Sequence, residues 1–299
     1  MFSAIFSYLT SFSTSTYIWL SILLTQLLSK RSKTHKSCVP VIQLHGTIES
    51  GPNADISVER LASVAEKAFE MKNAKAVALL INSPGGSPVQ SEHIYTILRS
   101  KANEKNIPIL VFVEDMAASG GYVLACAGDT IYASPNSIVG SIGVISGGFG
   151  FTDAIQKLGI ERRVYAEGSN KALLDPFQPI KDSDVAIIRD AQRDVHAWFV
   201  NLVKERRPAL DFDKAEDYFT GKIWSGKRAK ELGLVDEHGE LYSVIKEKYG
   251  KDTKVVMMKK EESLMSSVRK MLGIESAIHT FATSLVSNVY KQSTYSRFN

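Results

Sequence analysis

The sequence lacks the residue patterns that hold metal ions or disulfide scaffolds. Its 299 residues include two cysteines and six histidines, and neither a Cys-x-x-Cys pair nor a His-Glu-x-x-His motif occurs. Zinc sites depend on such spacings, and disulfide-rich secreted folds depend on many paired cysteines. We therefore expect no metal ion and no disulfide framework.

Charge of one sign is also never concentrated in a long run. Lys and Arg number 36 against 32 Asp and Glu, and the formal net charge of +4 is spread along the chain. Because nucleic-acid binding needs a clustered basic surface, we expect no nucleic-acid partner. With 44% hydrophobic residues, the composition is otherwise that of a globular protein with a sizeable core.

Charged residues are absent from residues 1–29, which end in an apolar run and are followed by a basic cluster within residues 30–38. A spanning helix needs about 20 mainly apolar residues, which this segment reaches only by including Ser and Thr. A removable signal peptide is disfavoured, because the segment has neither a positively charged N-terminal region nor a small-residue cleavage site. A transit peptide is disfavoured because the segment lacks Arg. We predict a retained single-pass membrane anchor at 1–29 and a basic linker at 30–38. The positive flank favours a cytoplasmic main domain, although side and compartment stay open.

Beyond this segment, short β-rich runs alternate with helical periods, which predicts an α/β fold with a parallel sheet. Between the first three predicted strands lie a helix that Ser57 caps and a second helix at 89–101. The strands are predicted at 39–44, 76–81, 109–113, 130–133, 143–145 and 162–165, with a long helix over Asp182–Arg206. From 261 onward the spacing is that of a helical tail.

Two glycine-bearing segments follow predicted strands, at the edge where parallel sheets place their sites. The segment Asn-Ser-Pro-Gly-Gly ends at Gly86, where backbone N–H groups at a helix start suit a developing oxyanion. Taken alone, such a segment is more often a plain structural turn. The segment Met-Ala-Ala-Ser-Gly-Gly-Tyr places Ser119 before an apolar helix, either as a helix N-cap or as an accessible nucleophile.

Lys171 lies in Gly-Ser-Asn-Lys-Ala, followed by Leu173, Leu174 and Phe177. A serine is a poor nucleophile until a base takes its proton, and a lysine serves as that base only when desolvation favours its neutral form. The apolar neighbours are candidates for that desolvation, whereas a solvated surface lysine is the common alternative. Ser141, in Gly-Ser-Ile-Gly, is a candidate to orient the lysine amine.

Together these segments resemble the SppA (protease IV, signal peptide peptidase A) and SohB serine peptidases. The resemblance covers 39 to about 248, and includes Gly-Ser-Ile-Gly-Val and the run from Trp-Ser-Gly-Lys-Arg to Val-Asp-Glu-His-Gly, all in the family's order. It implies a ClpP/crotonase-like spiral fold, with Ser119 as the nucleophile, Lys171 as the base and Ser141 as the residue that positions the lysine. It also implies that the Gly86 N–H is part of the oxyanion hole, to which we add Gly120.

The resemblance gives a peptidase domain at 39–250, followed by a C-terminal strand and helical tail at 251–299. The chain has one copy of the peptidase unit, as short family members do, which implies a homo-oligomeric ring with contacts that include the helix at Asp182–Arg206. The implied chemistry is an acyl-enzyme reaction without cofactor. Its implied substrates are membrane-derived peptides, including remnant signal peptides, that bind in extended form.

Other protein classes fit the sequence less well. A Ser/His/Asp hydrolase lacks its Gly-x-Ser-x-Gly elbow, because two alanines precede Ser119. A crotonase-fold acyl-CoA enzyme would use acidic residues where Ser and Lys stand here. An inactive membrane scaffold remains as a third alternative, against which the intact Ser/Lys pair argues.

Overall fold

The computed structural model describes residues 37–51, 54–210 and 218–258, which belong to one compact unit ending at Met258. The predicted anchor at 1–29, residues 30–36 of the predicted linker and the predicted helical tail lie outside the described residues. Within the described ranges, no helix combines the length and the apolar character that crossing a membrane requires.

A mainly parallel sheet forms the centre of the described unit. Its path runs β6-β5-β3-β2-β1-β8, while β4 pairs with β3 and β7 pairs with β4. All these pairs are parallel except β5 with β6. The strands are β1 (Cys38–Ile48), β2 (Val77–Gly86), β3 (Ile109–Ala118), β4 (Thr130–Ala133), β5 (Ile138–Gly140), β6 (Ile223–Ser225), β7 (Glu237–His238) and β8 (Lys254–Met257).

Helices alternate with the strands, as the sequence pattern predicts for an α/β fold. They are α1 (Val58–Phe69), α2 (Pro88–Lys105), α3 (Gly120–Ala125), α4 (Thr152–Lys157), α5 (Asp182–Arg206), α6 (Gly226–Leu232) and α7 (Leu241–Tyr249). Ser57 caps α1 through its side chain, which accepts a hydrogen bond from the Arg60 N–H. The end of α5 also agrees with the prediction, because Pro208 follows it and cannot continue the helix.

Both faces of the central strands are apolar, and each face packs against helices. One core cluster combines alternate residues of β2, such as Leu79 and Ile81, with buried residues of α1, α2 and α3. The other cluster holds Ala78 of β2 and Phe112 of β3 against Leu241 and Ile245 of α7. Burial on both sides explains why these strands appear in the sequence as continuous hydrophobic runs.

The prediction of strands at 143–145 and 162–165 is wrong, because neither range forms a strand. From 144 to 181 the backbone is irregular except for α4, and we call this segment the arm. Its large apolar side chains face solvent, with Ile145 exposed by 92% and Tyr165 by 91%. The short apolar runs therefore mark an uncovered surface rather than strands. Conversely, β5, β6 and β7 were not predicted, since two or three residues are too few to show an alternating pattern.

Candidate active site

Ser119 lies between β3 and α3 in a backbone conformation that is rare for a residue with a side chain. Its φ is 52° and its ψ is −123°, outside the regions that L-residues ordinarily occupy. Its N–H donates to the Gly140 carbonyl at 2.8 Å, and its carbonyl accepts from Tyr122 N at 2.8 Å. These bonds hold the strained turn in place.

The helix-cap interpretation of Ser119 is only partly correct. Ser119 does occupy the N-cap position of α3, but its side chain makes no capping hydrogen bond. The residue is half-buried. A serine that gives up its normal capping bond in a strained turn is typical of a functional site rather than of a structural one.

The glycine segment predicted at the end of β2 contacts this turn directly. A Cβ on Gly85 would lie 2.7 Å from the Gly120 backbone nitrogen and 2.9 Å from the Ser119 Cβ. Gly86 follows with φ of 146°, packed so closely on the Ile48 carbonyl that a side chain would collide with it. The segment lies within β2 rather than in a turn after it. Glycine is required at both positions because the backbone of β2 lies directly against the backbone of neighbouring segments, with no space for a side chain.

The N–H groups of Gly120 and Gly121 begin α3, where a helix has no internal acceptors for them. Neither N–H donates a hydrogen bond to another described residue. The Gly120 Cα is also closely surrounded, since a Cβ there would lie 3.3 Å from the Ile48 Cδ1 and against the Ser91 hydroxyl. Free amide donors beside Ser119 suit an oxygen that gains negative charge.

Ser141 lies beside Ser119 because their strands are paired. Ala118 of β3 is in register with Gly140 of β5, and each serine is the next residue. Ser141 also has a positive φ, of 53°, and its N–H donates to the Lys222 carbonyl at 2.8 Å. Two strained serines therefore stand side by side at one edge of the sheet.

Lys171 is not brought to this cluster within a single chain. It lies in the arm, in a turn whose Lys171 N–H donates to the Gly168 carbonyl at 3.1 Å. Its side chain is exposed and makes no hydrogen bond or ion pair with any described residue. The expectation that Leu173, Leu174 and Phe177 desolvate Lys171 is therefore not met in the isolated chain. Leu174 is itself 39% exposed, and the Phe177 ring stacks on Phe151.

The part of the arm after Lys171 borders a cavity of about 490 Å³ against the start of α5. Apolar side chains such as Phe149, Ile180 and Ile188 line it, together with Asp184. Nearby, Asp175 accepts two hydrogen bonds from Arg162 Nε, at 2.8 and 3.0 Å, which hold the pKa of the Asp175 carboxyl below its usual value.

Sequence reasoning missed Gly85, Asp175 and Asp184 as parts of this region. Gly85 belongs to the Asn-Ser-Pro-Gly-Gly segment, but its own close approach to Ser119 depends on how β2 and β3 pair. Asp184 lies in the first turn of α5, where acidic residues are common for reasons of helix capping and dipole. Nothing in the sequence distinguishes it from Asp182, its neighbour in the same turn.

Comparison with known proteins agrees with this fold. A family model described as Clp protease matches residues 41–145, and the model of peptidase family S49 matches residues 101–255. A solved structure of a mutant of the 1510-N membrane-bound stomatin-specific protease shares the fold. Its TM-score is 0.50 at 15% sequence identity, and the match covers 76% of this chain and 99% of that one.

The chain thus has a mixed α/β, ClpP-like fold, and it belongs to peptidase family S49, the family of SppA and SohB. A protein of Enterococcus faecium named as the signal peptide peptidase SppA is 32% identical, over 68% of this chain and 59% of its own length. A Brucella melitensis protein named Na(+)/H(+) antiporter NhaA is 46% identical over 84% of this chain. The chain spans about one third of the length of that Brucella protein.

Proposed function

We propose that this chain is a serine endopeptidase that cleaves peptide bonds with a Ser119/Lys171 dyad. The observation that carries the proposal is the conformation of Ser119. A strained backbone, a hydroxyl without a capping bond and adjacent unpaired amides occur together at one turn. Strain of this kind persists only where the surrounding structure enforces it, and it is concentrated at functional sites.

In the proposed reaction, neutral Lys171 takes the proton of the Ser119 hydroxyl as the oxygen attacks the peptide carbonyl. The backbone amides of Gly86 and Gly120 hold the resulting oxyanion. Ser141 orients the lysine amine, and the proton passes to the leaving amine as the acyl-enzyme forms. Water, activated by the same lysine, then releases the acyl group, so no cofactor takes part.

We propose further that a homo-oligomeric ring completes the site. Lys171 stands exposed in an arm whose large apolar side chains include Ile145 and Tyr165, and such surfaces are normally covered by a partner. Covering the arm with another copy of the chain would remove water from Lys171, which its role as a base requires. The proposed setting is a membrane, reached through the predicted single-pass anchor, and the substrates are membrane-derived peptides such as remnant signal peptides.

A crotonase-like acyl-CoA activity would need carboxylates that are free to act as acid and base. The two carboxylates nearest to this turn along β3 are already engaged: Glu114 pairs with His45 at 2.7 Å, and Asp115 accepts from Asn82 at 2.7 Å. This engagement favours the peptidase proposal over the acyl-CoA alternative.

The test is hydrolysis of a fluorogenic peptide library by the purified full chain beside Ser119→Ala and Lys171→Ala. Each substitution should lower kcat/KM by at least about 10³-fold, because the dyad acts as a unit. Ser100→Ala, an exposed serine of α2, is the matched control and should leave the rate unchanged. Full activity in either dyad variant would overturn the assignment. An inert wild type that binds CoA esters tightly would replace the peptidase proposal with the acyl-CoA one.

A further inference from the structure

The segment that carries Lys171 is short, exposed and almost free of regular structure, yet a general base must be placed within hydrogen-bond reach of its partner. In residues 168–177 the backbone makes a turn at Gly168 and then passes through Leu174, whose φ is 51°. A left-handed conformation costs a residue with a side chain about 1–2 kcal/mol. Contacts from outside the segment must therefore stabilise it.

One end of the segment is fixed within the arm itself. Arg162 Nε donates to both carboxylate oxygens of Asp175, and the Arg162 guanidinium lies 5.1 Å from the centre of the Phe177 ring. The Phe151 N–H donates to the Pro176 carbonyl at 2.6 Å. These contacts hold the arm to itself but do not connect it to the core.

One connection of this segment to the long helix runs through Asp184. This residue is only 9% exposed, in the first turn of α5, and its Oδ2 accepts a hydrogen bond from the Leu174 N–H at 3.1 Å. The far end of α5 packs into the core through Phe199 and Val203. Arg206, at that end, donates to the Cys126 carbonyl just after α3, the helix that begins beside Ser119.

We infer that Asp184 is a positioning residue for the base of the proposed dyad. Its carboxylate holds Leu174 in the left-handed conformation and thereby fixes the turn that presents Lys171, three residues earlier. Because α5 also contacts the end of α3, the turn that carries Lys171 is anchored to the core of its own chain. This inference rests on the proposed function, since it assigns a role within that reaction.

Asp182 provides the matched control for this inference. It lies in the same first turn of α5 and has the same charge, but it is exposed and makes no hydrogen bond to the described residues. Both carboxylates lie in the first turn, where the helix dipole favours negative charge, whereas Asp184 also accepts a hydrogen bond from the Leu174 N–H. A difference between the two variants therefore reports the hydrogen bond and not the helix.

The experiment measures peptide hydrolysis by the full chain and by Asp184→Ala, Asp184→Asn and Asp182→Ala, with thermal unfolding and assembly size determined for each. Asp184→Ala should lower kcat by about 10- to 100-fold, the effect of a misplaced catalytic group, and change KM by less than about twofold. Asp184→Asn should restore most of kcat because its amide oxygen accepts the same bond. Asp182→Ala should match the wild type. Hydrogen exchange at the Leu174 amide should accelerate in Asp184→Ala alone.

A double-mutant cycle separates positioning from a general structural defect. With an activated ester, which is hydrolysed slowly without a base, Asp184→Ala should have no further effect once Lys171 is Ala, because its action passes through that residue. Equal losses in Asp184→Ala and Asp182→Ala, or an undiminished effect in the Lys171→Ala background, would overturn the inference. If Asp184→Ala does not fold, Asp184→Ser, with a side chain one bond shorter, takes its place. An inactive wild type would instead overturn the proposed function.

Discussion

At the residue scale, the strain at Ser119 makes a prediction about stability that is independent of activity. With φ at 52°, Ser119→Gly should be more stable than Ser119→Ala by about 1 kcal/mol, because glycine adopts this conformation without steric cost. Urea unfolding of the two inactive variants measures the difference. At the exposed helical Ser100 the order should reverse, since glycine weakens a helix interior. A Ser119→Ala variant that is the more stable of its pair would contradict the strained turn.

At the scale of elements, Gly85 of β2 lies very close to the end of β3 and the start of α3. A methyl group there would lie 2.8 Å from the Ala118 carbonyl at a φ of 99°. We expect Gly85→Ala to lower the free energy of unfolding by roughly 2–4 kcal/mol and to abolish hydrolysis, since both overpacking and backbone strain act. Gly147→Ala, in open space on the arm, should be neutral in unfolding measurements. Retained activity in Gly85→Ala would argue against the tight contact with Ser119.

Arg207, which follows α5, connects the end of this helix to the residues that follow α6. The nearly buried Arg207 donates twice to the Gly233 carbonyl and twice to Asp236, whose Oδ2 also accepts from the Ile131 N–H. Arg207→Ala should cost about 3 kcal/mol in chemical unfolding, because Asp236 loses its partner. Arg207→Lys should restore less than half of this, since an ammonium cannot reproduce the fork geometry.

The control for that connection is the exposed pair of Arg228 with Glu231 on α6. Arg228→Ala should cost less than about 0.5 kcal/mol, the usual range for a surface ion pair. Similar losses at Arg207 and Arg228 would show that the connection contributes no more than a surface contact.

At the scale of the whole molecule, the separation of Lys171 from Ser119 predicts how inactive variants complement each other. If one copy supplies the serine and its neighbour the lysine, rings that mix Ser119→Ala and Lys171→Ala chains at random should regain about a quarter of wild-type activity. The variants are co-expressed and peptide hydrolysis is measured. Mixing Ser119→Ala with a chain that carries both substitutions is the control and should stay inactive. Mixed rings without recovered activity would mean that each chain forms its own dyad.

The same separation explains what the sequence predicts and what it does not. The central strands and the long helix Asp182–Arg206 follow from apolar periodicity, which is a local signal. The grouping of Ser119, Ser141 and Gly86 was implied by the family resemblance, and the pairing of β3 with β5 that brings the two serines together has no periodic signal in the sequence. The strands predicted at 143–145 and 162–165 are wrong because exposed apolar residues such as Ile145 imitate a buried pattern. The hydrogen bond from Leu174 to Asp184 joins a loop to a helix, and no periodicity encodes it.

The uncovered arm has one further consequence. If a working site arises only where copies meet, catalytic output follows the law of mass action and falls more steeply than protein amount upon dilution. A newly synthesised chain that has not yet assembled would then not cleave other polypeptides. Peptide hydrolysis would begin only where the local abundance of the chain exceeds a threshold, and confinement to a surface of limited extent would lower that threshold.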